Sequence, residues 1–240
     1  MTQAWFISGA NRGIGLELVK IAVDRGYVVF AGVRTPSKAV VLNNLAAKNP
    51  NVHIVKLESV SVSDAHAAAE VVEQVTGGLD VVIANAGIAN NWQPVTEIDL
   101  SSLNDHYQVN AVGPIILFQA LYPLLAKRQT RKFVTVSTMG ASIERTIPVP
   151  STVYGSSKAA LNYITRSIHK EHSSEGFVVF PIHPGMVDTD MGQSAAPLFG
   201  IEKLPMSPFQ SAEAVFNVVD RATAEQSGRF MSYDGTELPW

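Results

Sequence analysis

Short, almost wholly apolar runs rich in β-branched residues alternate along this chain with longer segments whose apolar positions recur every three to four residues. The first pattern marks strands at 4–8, 28–33, 53–57, 79–84, 132–137, 177–183 and 229–232. The second marks helices at 15–25, 36–47, 63–75, 100–126, 152–174 and 211–222. The strands do not alternate apolar with polar positions, so both of their faces are expected under helices. No repeat, low-complexity tract or linker divides the 240 residues. The pattern predicts one α/β domain, 1–240, doubly wound around a mostly parallel seven-stranded sheet. Ligands on such sheets sit beyond the carboxyl ends of the strands.

Two stretches interrupt the rhythm. Residues 139–151 hold two prolines and read as a loop. Residues 188–208, rich in Gly, Pro, Ser and Met, exceed an ordinary connection and are expected to form a substrate lid, the alternative being a disordered tip. Met186, Met191, Leu198, Phe199, Ile201 and Leu204 make that region apolar. Such side chains suit a hydrophobic substrate, an amphipathic helix or a subunit contact.

Composition excludes more than it identifies. With 46% hydrophobic residues, 16% charged residues and a net charge of −3, the chain offers no electrostatic case for nucleic acid or an anionic membrane. Having no cysteine, it has no disulfide, thiolate metal site or cysteine nucleophile. The strand pattern starts within the first residues without a basic and apolar leader, and no apolar run approaches the roughly 18 residues of a spanning helix. A cytoplasmic protein is expected.

The chemistry begins after the first strand, in Gly9-Ala10-Asn11-Arg12-Gly13-Ile14-Gly15. Glycine at 9, 13 and 15 lets the backbone turn sharply and approach a pyrophosphate, which then meets the amides at the start of the next helix. At the end of the second strand, where NAD-selective domains carry an acid for the ribose 2′-hydroxyl, stands Arg34. Arg34 and Arg12 together suit a 2′-phosphate, so NADP(H) is expected over NAD(H). Tyr154 and Lys158 are four residues apart on a predicted helix and so share a face. A free tyrosine titrates near about 10. The neighbouring ammonium is expected to lower that value, toward the range where a phenol serves as a general acid.

In this order, Ser8 through Gly15, Asn85-Ala86-Gly87, Asn110, Ser137, Tyr154 with Lys158, and Pro184-Gly185 resemble the motifs of the short-chain dehydrogenase/reductase family. The resemblance runs essentially from end to end. Within the family it is closest to sniffer-type carbonyl reductases and to norsolorinic-acid-ketoreductase-like enzymes of polyketide pathways, and the ending 233–240 adds to that placement. It implies a Rossmann fold and an NADP(H)-dependent ketoreductase acting on a small carbonyl or alcohol, aromatic or polyketide-derived. It also implies roles. Ser137 would bond the substrate carbonyl, Tyr154 would give the proton, and Lys158 would bond the nicotinamide ribose and lower the Tyr154 pKa. Asn110 would hold a water linking Lys158 to solvent. Asn85, Ala86 and Gly87 would border the adenine ribose, and Pro184, Gly185, Val187 and Thr189 the carboxamide. Either Glu58 or Ser59 takes the acid position near the adenine. A homodimer or homotetramer would form through helices beside the site, at 100–126 and 152–174. The separation of Ser137 from Tyr154 exceeds that common in the wider family.

Other candidates carry less. His169 and His172 share a helical face but lack a third ligand, so no metal is expected. His183 reads as structural, and Trp92 flanks the substrate pocket or is a loop aromatic. Two other classes of function remain: a redox-neutral dehydratase or isomerase on the same site, and an NADP(H)-binding sensor without turnover.

Overall fold

Every side chain of the first strand, β1 (Ala4–Ser8), is buried, with Trp5 and Ile7 in one core and Ala4 and Phe6 in the other. The computed structural model describes residues 2–145 and 147–240; Thr146, inside the predicted 139–151 loop, lies outside the described residues. The sheet continues through β2 (Val28–Val33), β3 (Val52–Lys56), β4 (Val81–Ala84), β5 (Lys132–Val136), β6 (Val178–His183), β7 (Phe230–Ser232) and β8 (Glu237–Leu238). The strand order is β3-β2-β1-β4-β5-β6-β7-β8. All pairs are parallel except β7 with β8. The order reverses between β1 and β4, which opens a crevice at their carboxyl ends.

The helices are α1 (Gly13–Asp24), α2 (Val40–Lys48), α3 (Val62–Thr76), α4 (Leu100–Tyr107), α5 (Gly113–Ala126), α6 (Thr152–His172), α7 (Asp190–Ala195) and α8 (Pro208–Arg221). On one face of the sheet, α1 and α8 cover Trp5, Ile7, Val29 and Phe180. There Trp5 stacks on Phe216 at 4.5 Å and on Tyr27 at 5.7 Å. On the other face, Ala68, Val72, Leu117 and Leu121 from α3 and α5 meet Phe6, Phe30, Val82 and Phe133. Because Trp5 has no exposed surface, Trp5→Ala is expected to cost about 3–5 kcal/mol. Urea unfolding reads that cost as a lower midpoint at unchanged slope. A loss below about 1 kcal/mol would show that Phe216 and Tyr27 collapse into the space.

The structure departs from the sequence pattern at β8, in helix 36–47 and in helix 100–126. An eighth strand follows a turn at Asp234 and Gly235, where Gly235 has φ +82 and the Asp234 carboxylate accepts from Thr236 N at 3.1 Å. Helix 36–47 becomes a 3₁₀ turn, Pro36–Lys38, followed by α2. Helix 100–126 is divided by a π-helical turn, Gln108–Val112. Pro114 has no N–H, so the α-helical bond from residue 114 to the Asn110 carbonyl cannot form, and Gly113 N donates instead to the Gln108 carbonyl. Finally, an 18-residue window of Leu100–Ala126 has a mean hydropathy of 1.6. It is long and apolar enough to cross a membrane, contrary to the expectation above. Of that window, 56% is buried inside the protein, so its apolarity serves the core.

Candidate active site

The loops after β1, β4, β5 and β6 converge at the carboxyl edge of the sheet. Gly9 has φ +66, and a Cβ on Gly15 would lie 2.3 Å from the Gly9 carbonyl oxygen, so only glycine lets α1 start this close to the loop. Asn85 stitches the loop to β4: its Nδ2 donates to the Ser8 carbonyl at 2.9 Å and the Gly9 carbonyl at 3.3 Å. Ser8 Oγ accepts in return from the amides of Asn85 and Ala86, both at 3.0 Å. Asn11 and Arg12 are exposed, while Ile14 packs partly into the core under the loop.

Gly87 brings the next group within reach. A Cβ there would stand 3.0 Å from Asn110 Oδ1 and 3.3 Å from Lys158 Nζ. Asn110, in the π turn, spends its side chain on protein partners. Its Oδ1 accepts from Ile88 N at 2.8 Å, and its Nδ2 donates to the Ile88 carbonyl and to Ser157 Oγ, both at 2.9 Å. Its carboxamide is therefore a clamp between the loop after β4 and α6.

On α6 the buried face carries Val153, Ser157, Lys158, Leu161, Asn162 and Thr165. Lys158 Nζ donates to the Val136 carbonyl at 2.7 Å, and burial brings its pKa down to about 8. Tyr154 is half-buried by surface area, yet its phenol is enclosed enough that desolvation pushes its pKa up to about 12; a hydrogen bond with Thr138 pulls the other way. The expectation that Lys158 lowers the phenol is therefore corrected. The ammonium donates to the Val136 carbonyl at the end of β5, and desolvation sets the direction of the phenol's shift. The Trp92 ring meets Tyr154 edge-on at 5.8 Å. Ser137, at the end of β5, donates from Oγ to Asn162 Oδ1 at 2.6 Å.

After β6, Pro184 accepts from Ser211 Oγ at 2.6 Å, and Gly185 has φ +89 with Met206 and Tyr233 crowded against it. Val187 pairs with Met206, and Thr189 caps α7 by accepting from Gly192 N at 3.1 Å. The 188–208 segment is thus folded into α7 and a 3₁₀ turn, Ala196–Phe199. Of its apolar side chains, Leu204 is buried, whereas Met191 and Phe199 are exposed.

Each arginine has its own carboxylate partner. Arg12 is hydrogen-bonded to Asp190 at the start of α7, and Arg34 Nε lies 4.0 Å from Glu58 Oε2. Ser59, not Glu58, lines a narrow crevice with Ser8, Leu57, Ala86 and Val109. His169 bonds Ser227, and His183 is buried with its pKa brought down to about 4 by desolvation. Among the described residues no group of three His, Asp or Glu side chains suits a metal.

Ser8, Thr138, Asn162 and Asp190 have no role that their sequence positions alone predict. Asn162 had a signal, since 154, 158 and 162 continue one spacing of four along α6. Asp190 had none, being 178 residues from Arg12.

Known proteins share this architecture. A family profile described as short chain dehydrogenase matches residues 3–197. An uncharacterized oxidoreductase of Schizosaccharomyces pombe is 39% identical over 99% of this chain and 98% of its own. The short chain dehydrogenase gsfK of Penicillium aethiopicum is 36% identical over the whole of both chains. The carbonyl reductase Sniffer of D. melanogaster superposes with a TM-score of 0.91 at 30% identity, over 100% of both chains. An NADPH-bound carbonyl reductase from chicken fatty liver gives 0.90 at 30%, over 100% of this chain and 99% of that one. The chain is an oxidoreductase fold of the short-chain dehydrogenase/reductase family, to which it belongs.

Proposed function

We propose that this protein is an NADP(H)-dependent carbonyl reductase, exchanging hydride with a hydrophobic ketone or secondary alcohol of the aromatic or polyketide type. The observation that carries the proposal is the meeting of Tyr154, Lys158 and Ser137 beside a glycine loop that only glycine can form. The residues fit the cofactor. Gly9, Gly13 and Gly15 leave a cradle for a pyrophosphate, with Asn11 and Ile14 in the same loop. Ser59, rather than Glu58, would take the adenine edge, with Asn85, Ala86 and Gly87 beyond it. Pro184, Gly185, Val187 and Thr189 would border the carboxamide. Lys158 has donors left for a ribose hydroxyl. When bound, the nicotinamide supplies hydride. The likeness to the carbonyl reductase Sniffer and to the NADPH-bound chicken carbonyl reductase, at TM-scores of 0.91 and 0.90, supports a carbonyl as substrate class.

The chain's own part is positional and acid–base. Ser137 orients the substrate oxygen. Tyr154, kept neutral by its enclosure, holds a proton ready for that oxygen, as reduction requires. Lys158, which shares the space beside Gly87 with Asn110, would return a proton from solvent through a water held at Asn110.

At low cofactor concentration, initial rates are higher with NADPH than with NADH. Arg34→Ala is expected to raise the NADPH KM by about 10-fold or more and to leave the NADH KM nearly unchanged, because one charge-assisted phosphate contact is lost. Equal effects on both cofactors would remove Arg34 from the 2′-phosphate. The reduction rate is also expected to fall as pH rises through about 8, where Lys158 loses its proton, while the phenol stays protonated. A rate still flat at pH about 10 would show that the ammonium is not required.

A further inference from the structure

Asn162 lies one turn beyond Lys158 on the buried face of α6. Its Oδ1 accepts the Ser137 Oγ proton at 2.6 Å, while its Nδ2 is buried with no partner among the described residues. Both residues are almost wholly buried, at 2% and 3% exposure. In this arrangement the serine proton is directed at the protein, away from any substrate oxygen, and an amide donor is left empty. Buried N–H donors are rarely left so. A carboxamide exchanges its oxygen and nitrogen by a half-turn, with no change of shape.

We infer that Asn162 is the positioning residue of Ser137: with substrate present its amide presents Nδ2 to Oγ, and the serine proton turns to the substrate oxygen. The inference rests on the role of Ser137 proposed above. The half-turn gives the nitrogen an acceptor and frees the hydroxyl to donate. The atom left without a partner is then a carbonyl oxygen, which proteins tolerate better than an orphan N–H. The proton of Ser137 stays on Ser137 throughout, so no bond is made or broken.

The test compares two variants with NADPH and 9,10-phenanthrenequinone. Asn162→Asp keeps the shape but, ionised, only accepts, and so holds the serine proton permanently. Its kcat is expected to fall by about 10²-fold, the worth of one lost donor to a reacting oxygen. The NADPH Kd, read by fluorescence, stays unchanged. The deficit shrinks as pH is lowered and the carboxyl regains a proton to donate. Asn162→Ala frees the serine proton and is expected to lose about 10-fold or less. A packing role alone predicts the opposite order, since the aspartate is nearly isosteric. Equal losses, or a milder loss for Asn162→Asp, would overturn the inference.

In a Ser137→Ala background, Asn162→Asp is expected to add no further loss. If Ser137→Ala itself keeps wild-type turnover, the role of Ser137 fails, and the inference falls with it. A second readout does not depend on turnover. The side-chain amide resonance of Asn162, identified by its disappearance in Asn162→Ala, is expected to shift when the quinone is added to NADP⁺-loaded protein. A resonance that stays in place contradicts the half-turn.

Discussion

Replacing Tyr154 by phenylalanine lowers the turnover for carbonyl reduction by about 10²–10⁴-fold, the usual worth of a positioned general acid. Affinity for NADPH is retained, because the change removes one oxygen and keeps the ring against Trp92. The size of the effect follows from the enclosure that holds the phenol near about 12. Steady-state rates with NADPH check the first part and fluorescence titration the second. Turnover close to wild type, with cofactor still bound, would take Tyr154 out of the proton step.

Lys158→Met is the second large effect, and it separates function from stability. The ammonium is buried and makes one hydrogen bond among those described, to the Val136 carbonyl. Burial has already brought its pKa down to about 8, so the charged form at neutral pH is held against a desolvation penalty. Methionine fills a similar volume without that penalty. Turnover is expected to fall by about 10²-fold or more, while the melting temperature at pH 7 stays level or rises. A variant that is both active and unstable would make Lys158 a structural residue. The sign of the pH effect agrees. Because the folded-state pKa is depressed, the folded protein binds fewer protons than the unfolded chain between about 8 and the ordinary lysine value of 10.5. The wild-type stability deficit from this group is therefore relieved as pH rises through that window, and it is absent in Lys158→Met.

Much of the fold was legible because parallel strands buried on both faces leave continuous apolar runs, as 4–8 and 28–33 do. The short β8 was not, since Glu237 and Leu238 make no apolar run and only the Asp234–Gly235 turn announces them. The π turn was in principle readable from Pro114, whose missing N–H forbids the α-helical bond to Asn110. Within the site, local spacing exposed Tyr154 with Lys158 and the three glycines. What it could not expose depends on distant chain segments. The phenol's pKa direction is set by desolvation, which i,i+4 geometry does not contain. Arg12 reads as a free cation until α7 brings Asp190 to it. Ser137 reads as a free hydroxyl until α6 lays Asn162 across it.

The most direct measurement follows one deuterium. Wild-type protein is mixed with NADPH deuterated at C4 on each face in turn, together with an aromatic ketone such as acetophenone, whose carbinol carbon keeps the transferred hydrogen, and the product is analysed by mass. Transfer of one deuterium to the carbinol carbon from one face only, matched by loss of the reduced-nicotinamide absorbance, is the predicted result. A product without the label from either face, or tight NADPH binding with no loss of absorbance across a panel of aldehydes, ketones and quinones, would contradict it.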